Sequence, residues 1–281
     1  MDLKPTFPYI PGLEVPDFPV EFSISREPMC RIFMGLALLA FVWAQAASGG
    51  EVPSSELLRP LDLAEKHYAQ VHDYKAFMLS RERLGDVLQE PERILIKFQR
   101  PFKVYMRWLD GPSKGREGLY VSGSHNGKFL VYEPKGVQRL FTAALEPGDH
   151  RVMERSRHPV TDIGIGRLLE IVGENARRAA RNGVLRVVDR GAADLYGRRV
   201  RQLESILPQD SRLGYYGYRV TLAFDEENHL PIRVIVYDWN DQLVEDYTYT
   251  ELRLNPGLAA QDFDPNNKEY GFSFWRIPVP G

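Results

Sequence analysis

The chain has 281 residues with 36 Lys and Arg against 38 Asp and Glu, a formal charge of -2, and the two signs are interspersed. That pattern excludes a nucleic-acid surface as the main business of the fold. At 43% apolar and 26% charged, the composition also excludes disorder, collagen and a polytopic membrane protein, and the single cysteine, Cys30, excludes a disulfide framework or a multi-cysteine zinc site.

Residues 32–43 form an uncharged apolar run between Arg31 and Ala44-Gln45-Ala46. It falls short of the ~20 residues a membrane span needs, and its flanks are those of a secretory signal. The pattern predicts a signal peptide over 29–46, cleaved after Ala46, and a periplasmic protein whose single domain is 47–281; an uncleaved anchor or buried helix is the alternative. The Pro-rich residues 1–28 precede the charged start of the signal, so Met29 is the expected start, with 1–28 a non-native or disordered extension. A genuine extension would instead make the apolar run an anchor. Cys30 stands before the run, not at its end, so no lipoprotein acylation is expected.

From Glu56 to Val71 the apolar positions Leu57, Leu58, Leu61, Ala64, Tyr68 and Val71 recur at three and four, which predicts an amphipathic helix with Pro60 in its first turn. The period then becomes two. Tyr74 to Arg83 and Arg93 to Gln99 read as strands around a turn at Gly85-Asp86, and Phe102, Val104, Met106 and Trp108 share one face of a third. Gly118 to Ser122 and Lys128 to Tyr132 follow, with Asn126-Gly127 read as a two-residue hairpin. A polar loop from Glu146 leads to a helix through Ile163, Leu168, Val172 and Ala176, stopped by Gly183. Strands resume over 184–189, 198–206, 218–224, 231–239 and 243–254. The order predicts an α+β fold, a strongly curved antiparallel sheet of about 10–11 strands with helices packed on its concave face.

Several strands are apolar on both faces, for example Tyr237 and Trp239 opposite Val234 and Val236. Such a sheet with few helices has room for an apolar cavity, the alternative being tighter packing. The candidate liners are Phe77, Ile96, Val104, Met106, Trp108, Val234, Val236 and Trp239. Arg155 and Arg157, in a basic stretch with Arg151 and His158, are candidates for a head group or a partner surface.

Catalytic and metal motifs are not found. His67 and His72 are five apart and point about 140° apart on a helix. Gly123-Ser-His-Asn-Gly127 reads as a turn, Gly164-Ile-Gly166 as a helix entry without the third glycine and lysine of a phosphate loop, and Asp225-Glu226-Glu227 as a solvated turn. No cofactor, metal or nucleic acid is expected.

The runs Tyr74-Lys-Ala-Phe-Met-Leu-Ser-Arg-Glu-Arg83, Phe98-Gln-Arg-Pro-Phe-Lys-Val-Tyr-Met-Arg-Trp108 and Gly115-Arg-Glu-Gly-Leu-Tyr-Val121, with the ending Phe263-Asp-Pro-Asn-Asn-Lys-Glu-Tyr-Gly-Phe272, resemble a bacterial exported domain-of-unknown-function family. More distantly, strands, a helical insertion, strands and then Leu230-Pro-x-Arg-Val234 are similar to the periplasmic lipoprotein-carrier superfamily of LolA, LolB and RseB. That resemblance implies a half-open, incomplete β-barrel with helices as a lid over an apolar cavity. The implied role is to carry or sense a lipid or lipoprotein without catalysis. An envelope structural or regulatory module that grips a protein, and a cell-envelope hydrolase with a carboxylate pair, are the alternatives.

Overall fold

The computed structural model describes residues 49–272 and 276–278. The expected signal, its cleavage site after Ala46 and the Met29 start lie outside the described residues. In chain order the elements are β1 (Glu51–Val52), α1 (Ser55–Tyr68), β2 (Asp73–Leu84), β3 (Val87–Leu88), β4 (Glu92–Gln99), β5 (Lys103–Asp110), β6 (Glu117–Val121), β7 (Phe129–Tyr132), β8 (Thr142–Leu145), α2 (His150–Met153), α3 (Ile165–Arg181), β9 (Arg186–Leu195), β10 (Arg198–Ile206), β11 (Arg219–Asp225), β12 (Pro231–Tyr237), β13 (Leu243–Leu254) and β14 (Arg276–Pro278).

Most of these follow from the sequence pattern, and the departures have local causes. Helix α1 starts at Ser55, which places Pro60 inside the helix and not in its first turn. The missing Pro60 N–H is tolerated because Leu57, Leu61 and Ala64 are all essentially fully buried, each leucine contributing about 1.5–3 kcal/mol. Strand β9 runs beyond Asp189 because Gly191, at φ 82°, sits beside the register shift between Gln202 and Leu203 of β10. Asn126-Gly127 is not a two-residue hairpin. A 3-10 turn over His125–Gly127, with His125 and Asn126 both at φ 55°, makes a longer connection there. The strands β1, β3, β8 and β14 have two to four residues, too few to show a period.

The strands form one 14-stranded sheet in the order β1-β9-β10-β11-β12-β13-β2-β4-β5-β6-β7-β8-β14, with β3 paired to β2 off that path. Among the described residues β8 and β14 make the one parallel pair, and the sheet does not close into a barrel. Side chains alternate along each strand, and the register carries the alternation across the sheet. Met78 pairs with Ile94 and Tyr249, Ile96 with Met106, Gly118 with Val131 and Phe129 with Leu145. In the other direction Tyr247 pairs with Val234, and Leu222 with Val234 and Leu203. These residues share one face with the buried sides of α1 and α3, which pack on each other, and most of them join a single core.

That face is concave. Val234 on β12 and Leu145 on β8 are seven strand steps apart, about 34 Å across a flat sheet at ~4.8 Å per step, yet both line one cavity. The opposite face of β4 to β7 is sealed by the C-terminal segment. There Phe263 packs with Tyr105, Leu119 and Leu130, Tyr270 stacks on Tyr105 at 3.9 Å, and Lys97 donates to Asp262 at 2.6 Å. The chain is thus α+β, with a curved antiparallel sheet and few helices.

Candidate functional site

Between the concave face, α3 and the segment from Arg151 to Gly164 lies a cavity of about 800 Å³, within the ~300–1,000 Å³ of small-molecule sites. Met78, Ile94, Met106 and Phe129 form its floor. Gly118 makes room for that floor, because a Cβ there would stand 2.6 Å from the Phe129 ring. Helix α3 turns Leu168, Ile171 and Val172 toward the space, while its Ile165, Leu169 and Ala176 are buried. The helix is anchored at its start by Tyr74, whose hydroxyl accepts the Ile165 N–H at 3.3 Å. Gly164 has φ 107° and a Cβ would meet Tyr74 Oη at 2.8 Å, so this entry needs glycine, and its N–H groups serve the fold.

One end of the cavity is polar. Glu82 and Glu245 are direct cross-strand partners on the concave face and both line the space. Glu245 accepts from Arg157 Nε at 2.7 Å and Tyr216 OH at 2.6 Å, and lies 3.1 Å from His158 Nε2. Glu82 accepts from Tyr247 OH at 2.6 Å and the Arg157 backbone N–H at 2.7 Å. Burial works to raise the Glu245 carboxyl, but His158, Tyr216 and Arg157 outweigh it and hold it below its ordinary value. For Glu82 burial prevails over the Tyr247 and Arg157 hydrogen bonds, and its carboxyl is raised. Burial works to lower His158, and Glu245 overcomes it, so the imidazole is raised. Burial and the neighbouring Glu245 carboxylate drive Tyr216 far up, so it stays a neutral phenol whose O–H donates to Glu245.

Of the sequence-predicted liners, Met106, Trp108 and Val234 reach the cavity, and so does the exposed Arg155. Phe77 does not: it alternates with Met78, pairs with Leu95 on the convex face and is covered by the Arg93 guanidinium at 4.3 Å. Ile96, Val104 and Val236 are on the correct face but fully packed in the core, away from the open space. Trp239 lies past the end of β12. Arg157 is spent on Glu245 and the Arg83 carbonyl. Most of the neighbouring basic residues are likewise occupied inside the fold: Arg151 with Asp149, Arg177 with Asp62 and Glu65, Arg178 with the Gly214 carbonyl.

Sequence reasoning missed the polar end. Period two from Tyr74 through Met78 puts Ser80 and Glu82 on the cavity face, and that was the available signal. It missed Arg116 too, which lines the cavity from the residue before β6. The Asp225 turn is not wholly solvated. Its carboxylate is 1% exposed, binds Arg198 at 2.6 Å and accepts the Glu227 and Asn228 N–H groups. Among the described residues there is no group of three or more potential metal ligands, and no helix long and apolar enough to cross a membrane.

No curated protein matches the chain. Among solved structures it is similar to MucB, at 17% identity over 75% of this chain and 62% of that one, with a TM-score of 0.43, so it spans less than two thirds of MucB. It is similar to the Mycobacterium tuberculosis lipoprotein LppX, at 12% identity over 75% of this chain and 100% of that one, TM-score 0.47. A LolA superfamily protein from Nitrosomonas europaea matches at 12% identity over 76% of this chain and 98% of its own length, TM-score 0.35. Residues 71–272 match the family described as "Protein of unknown function (DUF1571)", and the chain belongs to that family.

Proposed function

We propose that this protein binds a hydrophobic or lipid-bearing molecule in the concave-face cavity, without catalysis, as an exported protein of the periplasm carved from 47–281. The observation that carries the reading is the cavity itself, about 800 Å³ with an apolar floor inside the curled sheet. Met106, Trp108 and Val234 are the liners retained from the sequence, with Arg155 at the polar side. Native mass spectrometry of the protein from an envelope extract, with titration of a fluorescent lipid probe, tests it. Ligand-free protein that binds no probe would sink the reading.

Two other readings each have one observation in their favour. Docking of a protein partner has Leu140 and Phe141, 57% and 39% exposed beside the cavity; cross-linking in cells that returned one protein and no lipid would favour it. Hydrolysis has the Glu82 and Glu245 pair, whose Cβ atoms stand about 4.5–5.5 Å apart as cross-strand neighbours. Against hydrolysis, both carboxylates already accept from tyrosine hydroxyls, and from Arg157 as well.

A further inference from the structure

Arg116 is built into the cavity wall with one of its donors unspent. Its side chain is 8% exposed and its Nε donates to Glu133 Oε1 at 2.7 Å. The guanidinium lies 5.5 Å from the Trp108 ring centroid. Nη2, buried, finds no acceptor among the described residues. A guanidinium carries five N–H donors in a fixed fork, and a buried donor left unmet is costly. The nearby cavity carboxylate, Glu92, does not meet it. Its oxygens accept from Trp108 Nε1 and the Ser113 N–H, both at 2.9 Å. An oxygen brought by the ligand is the acceptor this wall lacks.

The charge around Arg116 narrows what that oxygen can be. Glu133 already balances the guanidinium, and Glu92, bonded to the Trp108 indole that the guanidinium overlies, adds a second carboxylate beside it, so an anionic group on Nη2 meets surplus negative charge. A neutral carbonyl oxygen meets only the donor. Next to it runs the apolar floor of Ile94, Met106 and Phe129. We propose that Arg116 Nη2 donates to the carbonyl oxygen of an acyl ester or amide whose hydrocarbon chain lies on this floor, so that the cavity selects a neutral acylated molecule over a free fatty acid. This rests on the cavity being a binding site.

The test uses the whole chain with diphenylhexatriene as reporter, displaced by decane, methyl decanoate and decanoate. Wild type is expected to prefer the methyl ester over decane by about tenfold, the scale of one hydrogen bond to a charged group, and to bind decanoate no better than the ester. Arg116→Met should still bind the dye and lose the ester preference to within about twofold. Glu133→Gln, which keeps Arg116 and removes its counter-charge, should gain about tenfold for decanoate while the ester changes little. This second variant decides the matter if Arg116→Met does not fold by circular dichroism. Equal displacement by ester and alkane in wild type, an ester preference that survives Arg116→Met, or a wild-type preference for decanoate would overturn the inference while leaving the cavity reading intact. If the dye does not bind wild type at all, the cavity reading falls and the inference with it.

Discussion

Replacing Glu245 by Gln tests whether this one carboxylate fastens the segment from Ser156 to His158 over the sheet. The side chain is 2% exposed and meets Arg157, 37% exposed, and His158, 20% exposed. A glutamine there would offer one acceptor oxygen in place of two and no charge. Breaking a fully buried ion pair by removing one partner costs about 3–5 kcal/mol. Water screens the two partners here, so about 2 kcal/mol is the expected loss. Urea denaturation followed by tryptophan fluorescence reads this as a midpoint lower by about 1 M. The pH dependence is a sharper check. Against the pull of burial, His158, Tyr216 and Arg157 hold the Glu245 carboxyl below its ordinary 4.5, so its stabilisation is present above that value and is lost as pH falls through the lowered folded one. Burial is likewise outweighed at His158, which Glu245 holds above its ordinary 6.5, so that contribution is full below 6.5 and lost as pH rises through the raised folded value. The gap between wild type and Glu245→Gln should therefore be widest between those ordinary values and narrow on both sides. Glu82, raised by burial and in smaller part by the Glu245 carboxylate itself, works in the opposite sense near the acid end, and the Glu245 share of that opposition is removed in the variant. Coincident midpoints, or a gap that does not vary with pH, refute the reasoning.

Met106→Trp should fill the floor of the cavity and cut reporter-dye affinity by about tenfold or more, for about 1–3 kcal/mol of overpacking; unchanged dye titration would separate binding from the cavity. Phe77→Ala, on the convex face under Arg93, should leave dye binding within twofold of wild type while costing about 1–2 kcal/mol of packing and cation–π contact in a denaturation midpoint. Gly164→Ala, forced to φ 107° with its Cβ 2.8 Å from Tyr74 Oη, should lose about 2 kcal/mol or more, and a melt matching wild type would contradict that account of the α3 entry.

The long elements were legible because their periodic runs are long. Arg198–Ile206 and Leu243–Leu254 have their expected bounds, and the α3 stripe through Leu168 and Val172 is where the spacing put it. What alternation cannot say is which of two apolar faces is concave, and how far along a strand the packing stops. Phe77 was misplaced for the first reason. Ile96 and Val104, which pair with concave-face residues and are 0% exposed, were misplaced for the second: they lie where the core is filled. The polar end escaped for another reason. Glu82, Glu245, His158 and Tyr216 come from four separate segments, with Glu245 and Glu82 joined only by the β13–β2 pairing, and no local spacing announces that register. Arg116 is visible only in three dimensions, since its distinguishing property is a donor without an acceptor.

The cavity itself follows from a mismatch of areas. Helices α1 and α3, of 14 and 17 residues, are about 21 and 26 Å long and together cover roughly 20 Å of sheet width. The thirteen strands of the hydrogen-bonded path span nearly 60 Å when flat, at ~4.8 Å each. Two helices leave most of the concave face bare, and curling the sheet brings its walls together without filling the centre. The strands under α1 and α3 become the dense core of Ile96, Leu169 and Leu203. The parts of β2 to β8 that carry Met78, Ile94, Met106 and Phe129 are left facing the polar stretch from Arg151 to Asp162, which supplies only Val152 and Val160 as apolar cover. A segment with so little oil cannot be held down by burial alone. It is held instead at Glu82 and Glu245 by Arg157 and His158, which is why these two carboxylates stand together at one end of the cavity.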